Sequence, residues 1–188
     1  MRYFIIVDMQ EDFVHGILGS PEAHAAAKQL VQTLPEYNDG NTAVIFTQDT
    51  HYADTYDSTL EGQKLPVPHC FSGMPGWEIV PELVEAAKGF ISIDTLPFID
   101  NSHVYKETFG SLDLVNGLYS AEDEGTPVEE IIVAGVCTDI CVISNVMLLK
   151  AAFPNVPIKV IADCCAGVTP ETHENALKAM IQCHIDVI

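Results

Sequence analysis

The segment Gly135-Val136-Cys137-Thr138-Asp139-Ile140-Cys141-Val142 follows an apolar run, Ile131-Ile132-Val133-Ala134, and leads into a helical pattern over residues 140–152. Cys141 therefore falls in the first turn of a helix that starts at the C-terminal end of a parallel strand. Free backbone N–H groups and the positive end of the helix dipole favour a thiolate at such a place. A nucleophile there would have its oxyanion donors close by. Cys137 and Cys141 also have the spacing of a C-x₃-C metal pair, but no second cysteine pair at ligand spacing supports that use.

Other residues could complete such chemistry. Asp8 closes the apolar run Ile5-Ile6-Val7, where burial would raise its pKa toward the range of a general base; capping the following turn is the alternative role. Asp49-Thr50-His51 puts two potential ligands on one side of an extended segment. Glu61 and His69 lie further along the same stretch, and two histidines with two carboxylates suit zinc, manganese or iron. Lys106 is one of only eight basic residues; spacing alone reads it as a solvated charge or an ion-pair partner. Cys70, Cys164, Cys165 and Cys183 read as small buried hydrophobes. His15, His24, His103, His173 and His184 have no partner spacing.

The elements that must position these residues alternate in type. Short apolar, mostly β-branched runs at 3–7, 43–47, 90–93, 131–134, 158–162 and 185–188 read as six strands. Between them lie helical patterns. One is capped by Ser20 with Pro21 at its first position and ends at Pro35; another spans 77–88 and is closed by Gly89. Helices at 111–119, 139–152 and 170–182 follow, the last capped by Thr169. Alternation of this kind implies an α/β fold: a three-layer α/β/α arrangement around a central six-stranded, mostly parallel sheet. Ligands in such folds bind beyond the C-terminal ends of the strands. Asp8, Asp49, the 135–141 segment and Asp163 are all expected on that rim. The long irregular stretch 48–75 reads as a functional loop.

Composition limits the partners. The 188 residues suit a single domain, 1–188, and at 48% apolar and 19% charged the chain is globular rather than disordered. Eight Lys+Arg against 27 Asp+Glu give a net charge of −19, which repels phosphate backbones and anionic lipid, so neither nucleic acid nor membrane is an expected partner. No run is long enough to span a bilayer, and the N-terminal apolar run meets Asp8 too early for a signal peptide. Six cysteines without a secretory signal read as reduced thiols in a cytoplasmic protein.

Taken together, the segments Val7-Asp8-Met9-Gln10-Glu11-Asp12-Phe13, Thr47-Gln48-Asp49-Thr50-His51, Pro68-His69-Cys70, Gly76-Trp77-Glu78, Lys106 with Phe109-Gly110, and Gly135 to Val142 resemble the isochorismatase-like cysteine hydrolases, and among them the nicotinamidases. The pieces occur in the family's order over nearly the whole chain. The resemblance implies a catalytic triad of Asp8, Lys106 and Cys141, with Asp8 as the base and Lys106 holding the carboxylate–thiolate pair. It implies a cis peptide bond at Val136–Cys137, with the N–H groups of Cys137 and Cys141 as the oxyanion hole. It implies one divalent metal ion, zinc first and manganese or iron compatible, on Asp49, His51 and His69, with Glu61 taken as the fourth ligand. Phe13, Trp77 and Tyr105 would wall the substrate ring, although core packing is the alternative for all three.

The expected activity is hydrolysis of nicotinamide to nicotinate and ammonia through a thioester, in NAD salvage. The alternatives are a related hydrolase of another small amide and a non-catalytic binding protein on this fold. The metal set separates the first from isochorismatases, which cleave a vinyl ether and do not use Asp49-x-His51 with His69. Two features depart from the family's usual pattern. Cys137 stands where a small residue is common and leaves a second, oxidisable thiol near the site. The last strand ends at Ile188, where an edge could be covered by a partner subunit, which points to a homo-oligomer.

Overall fold

The computed structural model describes residues 1–93 and 97–188. In chain order the regular elements are β1 (Arg2–Val7), α1 (Glu11–Val14), α2 (Pro21–Thr33), β2 (Thr42–Asp49), α3 (Leu60–Lys64), α4 (Pro81–Ala86), β3 (His103–Lys106), α5 (Leu112–Asp123), β4 (Glu130–Val136), α6 (Ile143–Ala152), β5 (Ile158–Ala166), α7 (Pro170–Gln182) and β6 (Asp186–Val187). The six strands form one sheet in the order β3-β2-β1-β4-β5-β6, and every pairing is parallel.

The continuous apolar runs explain why β1 and β4 are central: Phe4 to Val7 and Ile131 to Ala134 are completely buried. A sheet covered on both faces has no solvated side on which polar residues could alternate. Each of these side chains except that of Ala134 contributes about 1.5–3 kcal/mol on burial. Right-handed crossovers put α2 and α4, which touch, on one face; α5, α6 and α7 pack side by side on the other. The inner stripe of α2 is Ala23, Ala26, Ala27 and Leu30, small enough to bring the helix close against β4 and β5. Strand order reverses between β1 and β4, which makes the gap at their C-terminal ends the switch point where ligands bind in open α/β sheets.

Several expectations need correction. The third strand is His103–Lys106, not 90–93; Ile91 makes a single bridge to Ala43. An edge strand with one neighbour alternates its side chains, and Val104 and Lys106 are buried while Tyr105 is exposed, so it lacks the continuous apolar run of a central strand. The helix expected over 77–88 is a turn, Pro75–Trp77, followed by the short α4, because Pro81 cannot supply the N–H of a helix interior and starts a new helix instead. Asp163 lies within β5, which continues to Ala166 past an irregularity opposite β4, and its side chain is exposed. The 48–75 stretch is not wholly irregular, since it carries α3.

Candidate active site

Asp8, the first residue after β1, is completely buried and has φ +49°. A non-glycine residue in the left-handed region is uncommon and costs free energy that the surroundings must offset. Here Thr47 does so. Its hydroxyl donates to Asp8 Oδ1 at 2.6 Å, and its backbone carbonyl accepts from the Asp8 N–H at 3.2 Å. The other oxygen, Oδ2, lies 2.6 Å from Lys106 Nζ. That contact is a buried ion pair.

Lys106 ends β3, directly opposite Asp49 at the end of β2. Its ammonium is buried within reach of three groups: Asp8, Asp49 Oδ1 at 3.5 Å and Cys141 Sγ at 3.8 Å. The structure thus brings Asp8, Lys106 and Cys141 together although each comes from a different strand's end. Burial alone would lower the lysine's pKa, but the charges of Asp8 and Cys141 outweigh it and hold the ammonium protonated far above its ordinary range. Burial raises the Asp8 carboxyl, against the pull of Lys106 and with the help of Asp49's negative charge. It also pushes the Cys141 thiol well up, and Lys106 offsets only part of that.

Cys141 sits in a wide turn, Thr138–Val142, in which the Val142 N–H donates to the carbonyl of Cys137, five residues back, at 3.1 Å. The Val136–Cys137 peptide bond is cis. Gly135 makes the approach of β4 to β1 possible: it has φ +135°, and a Cβ there would lie 2.1 Å from the carbonyl oxygen of Val7. The Cys137 thiol is pushed up to about 12 by burial, with the charges of Asp139 and Asp8 adding to it.

The second cluster adjoins the first. Asp49, His51, Glu61 and His69 present one ligand atom each, all within 4.8 Å of one another. His51 Nε2 is 2.9 Å from Asp49 Oδ2 and 3.7 Å from Glu61 Oε1; His69 Nε2 is 3.5 Å and 3.7 Å from the same two oxygens. Tetrahedral ligands about 2.0–2.1 Å from a zinc ion are about 3.3 Å apart, inside that range. His69 Nδ1 lies 2.8 Å from the carbonyl of Val67, which fixes the tautomer that leaves Nε2 free to ligate. His51 Nε2 is buried without a hydrogen-bond partner, an orphan that a cation would satisfy. The residues fit a divalent metal ion.

Asp49 is held rigidly. The fully buried Gln10 donates from Nε2 to the Asp49 carbonyl at 2.9 Å and accepts the Asp49 N–H at Oε1 at 2.8 Å, so its amide continues the β1–β2 ladder by one rung. In the sequence Gln10 stands only as part of the segment from Val7 to Phe13; an amide side chain three residues past an apolar strand is the signal that marks it.

A cavity of about 780 Å³ joins the two clusters; Asp49, His51, Glu61, His69, Cys137 and Cys141 all line it. Phe13 lines it as well, its ring 5.5 Å from that of His69. Trp77 and Tyr105 do not line this cavity. They stack on each other at 5.4 Å, and the Trp77 indole N–H donates to Thr50. Alternation along β3 is the reason: with Lys106 turned into the site, Tyr105 must face away. Apolar side chains of Leu18, Leu60, Leu65, Phe109 and Val168 line the cavity instead.

A thiol, a carboxylate and an ammonium thus meet at the switch point of a parallel sheet, beside a cluster of four side chains that fits a metal ion. The Isochorismatase domain family matches residues 2–188, and the chain belongs to that family. A nicotinamidase/pyrazinamidase of Mycobacterium tuberculosis is 28% identical over 200 residues, covering 100% of this chain and 98% of that one. Among solved structures, a nicotinamidase/pyrazinamidase of Bacillus subtilis superposes with a TM-score of 0.76 at 24% identity, covering 99% of this chain and 98% of that one. The pyrazinamidase of Pyrococcus horikoshii in complex with zinc gives 0.72 at 21%, covering 100% and 98%. At those identities the structural likeness speaks for the fold. Among the described residues no helix is long and apolar enough to cross a membrane, and all six cysteines are free.

Proposed function

We propose that this protein is a metal-dependent cysteine amidohydrolase that converts nicotinamide to nicotinate and ammonia, a step of NAD salvage. One observation carries the reading: Lys106 lies within 3.8 Å of both Asp8 and Cys141 and within 3.5 Å of Asp49, a member of the four-ligand cluster. The similarity to the curated nicotinamidase/pyrazinamidase supports the choice of amide.

In this mechanism the Asp8 carboxylate accepts the Sγ–H proton as Cys141 attacks the amide carbon, and Lys106 balances the negative charge as it passes from oxygen to sulfur. The N–H groups of Cys137 and Cys141 donate to the tetrahedral oxyanion. Collapse breaks the C–N bond, Asp8 returns its proton to the leaving nitrogen, and ammonia departs from a thioester. Water then gives a proton to Asp8 and attacks the thioester carbon. The acid leaves, and the proton returns to Cys141. A divalent ion on Asp49, His51, Glu61 and His69 would supply a Lewis-acid contact for a ring nitrogen; the zinc in the Pyrococcus horikoshii structure supports zinc as that ion. Phe13 would bound the ring from the side of His69.

The same chemistry on a different small amide is the second reading, and the placement of Trp77 and Tyr105 outside the cavity favours it. Ammonia release from nicotinamide by purified, metal-loaded protein decides the matter. We expect release that Cys141→Ala abolishes without loss of bound metal; no release from the loaded wild type overturns the first reading.

A further inference from the structure

We infer that Asn145 is a positioning residue that sets the distance between Cys141 and Lys106 by bridging their two segments directly. The inference rests on the roles given above to those two residues and goes beyond them. In the sheet, β3 and β4 are separated by β2 and β1, three strand spacings or about 14 Å. β3 is also a four-residue edge strand with only β2 beside it among the described strands. The sheet alone is therefore an indirect frame for a contact of 3.8 Å between Lys106 Nζ and Cys141 Sγ.

Asn145 shortens that path. It lies on α6 one turn after Cys141 and is completely buried. Its Nδ2 donates to the Cys141 carbonyl at 2.8 Å and to the Phe109 carbonyl at 3.1 Å, while Oδ1 accepts the Ser111 N–H at 2.9 Å. Both donors and the acceptor are thus spent on backbone groups, one from the nucleophile's turn and two from the segment that follows Lys106. Gly110 lies between those two and packs so closely on α6 that a Cβ would meet Leu148 at 2.8 Å. A buried amide in the apolar run Val142-Ile143-Ser144-Asn145-Val146-Met147 is costly unless such bonds are made, and a capping role would need only the first of them.

Coulomb attraction falls with distance. At an effective dielectric of about 20, moving the ammonium from 3.8 to about 6 Å from the sulfur weakens thiolate stabilisation roughly 15-fold. The test uses two variants of the metal-loaded protein. Asn145→Ala removes all three bonds. Asn145→Ser keeps a hydroxyl that can donate four residues back to Cys141 but cannot span to Phe109 and Ser111. For both we measure the pH profile of Cys141 alkylation by iodoacetamide, with the exposed Cys183 as internal reference, together with kcat and KM for ammonia release from nicotinamide. Both variants are expected to lose roughly tenfold or more in Cys141 alkylation rate at neutral pH, with the profile displaced upward, and to lose kcat while KM changes little. Wild-type alkylation and kcat in folded Asn145→Ser overturn the bridge, whether or not Asn145→Ala folds. Alkylation does not depend on the substrate, so failure of the nicotinamide assay in the wild type would count against the proposed function and leave this test standing.

Discussion

Lys106 and Asp49 are partners in the β2–β3 register, and their side chains meet at 3.5 Å through Nζ and Oδ1. The other oxygen of Asp49 faces His51 and His69, so one carboxylate serves the ammonium and the four-ligand cluster together. Removing the cation leaves Asp8 and Asp49 buried with a repulsion between them. Lys106→Met, which keeps most of the side-chain volume, is expected to destabilise the fold by about 3–5 kcal/mol, the cost typical of an unpaired buried charge. It should also lower turnover by at least about 10²-fold. Urea unfolding and ammonia release measure both; a variant as stable as the wild type would show that the pair carries no charge.

The pH dependence follows from two upward shifts, which disfavour the charged form of Asp8 and favour that of Lys106. Burial raises Asp8, so the proposed base ionises above the ordinary aspartate range near 3.9, and kcat/KM should rise with pH along a limb displaced upward from it. An acid limb at the ordinary value would count against Asp8 as the base. For Lys106, burial is outweighed by Asp8 and Cys141 and the pKa is raised from 10.5. A cation with a raised folded pKa contributes stability that is complete below its unfolded value and is lost as pH climbs beyond it. The stability gap between wild type and Lys106→Met should therefore narrow only above about pH 10.5.

Metal removal should be visible in stability as well as turnover. Binding to the folded state alone adds RT ln(1 + [L]/Kd), about 2.7 kcal/mol at a hundredfold excess over Kd. Dialysis against a chelator should lower the melting temperature and abolish activity, and zinc should restore both. Glu61→Gln tests the fourth ligand. Glu61 is the only one of the four that is not buried, so the variant should fold and yet hold metal at least 10–100-fold more weakly. Unchanged metal content on competition with a chelator would remove Glu61 from the set.

The parts of the fold that were legible were those where one physical demand dominated. Central strands with both faces covered are continuous apolar runs, so β1, β4 and the rim positions of Asp8, Asp49 and Cys141 could be placed from the sequence. β3 could not, because an edge strand alternates, and its alternation hides Lys106 in a pattern that reads as surface. That also misplaced Tyr105: a strand that turns its lysine inward turns the residue before it outward. Gln10 and Asn145 escaped because their partners are backbone groups of distant segments, and no spacing in the sequence encodes those. Lys106 itself was reached only through resemblance.

Gln10 gives a prediction independent of charge. Gln10→Ala orphans the N–H and carbonyl of Asp49 in a buried place, at about 1–3 kcal/mol for each unpaired group. The Trp77 carbonyl is spared, since Gln48 also donates to it at 2.9 Å. Asp49 would lose the amide that fixes its backbone, and metal affinity should fall about 10–100-fold, as for other residues that orient a ligand. Calorimetric zinc titration of the folded variant measures this. Affinity equal to wild type would mean that β2 alone positions Asp49.

Gly135 offers the most local test of how the two halves of the proposed triad are brought together. Val7 and Gly135 are partners in the β1–β4 register, and each is followed closely by a segment of the proposed site, Asp8 on one side and the Cys137–Cys141 turn on the other. A Cβ at Gly135 would lie 2.1 Å from the Val7 carbonyl oxygen and 2.7 Å from its nitrogen, and both are backbone atoms that cannot rotate away. The φ of +135° adds strain for any other residue. Gly135→Ala must therefore push the strand ends apart at the level of the site. We expect a loss of about 1–3 kcal/mol from overpacking, with a further contribution from the backbone, and a fall in kcat larger than stability alone explains when measured well below the melting temperature. Gly135→Ser should behave alike, because the clash begins at Cβ. If Gly135→Ala folds with wild-type stability and turnover, the strands can separate without moving Asp8 from Cys141, and the close approach of β4 to β1 is not what sets their distance.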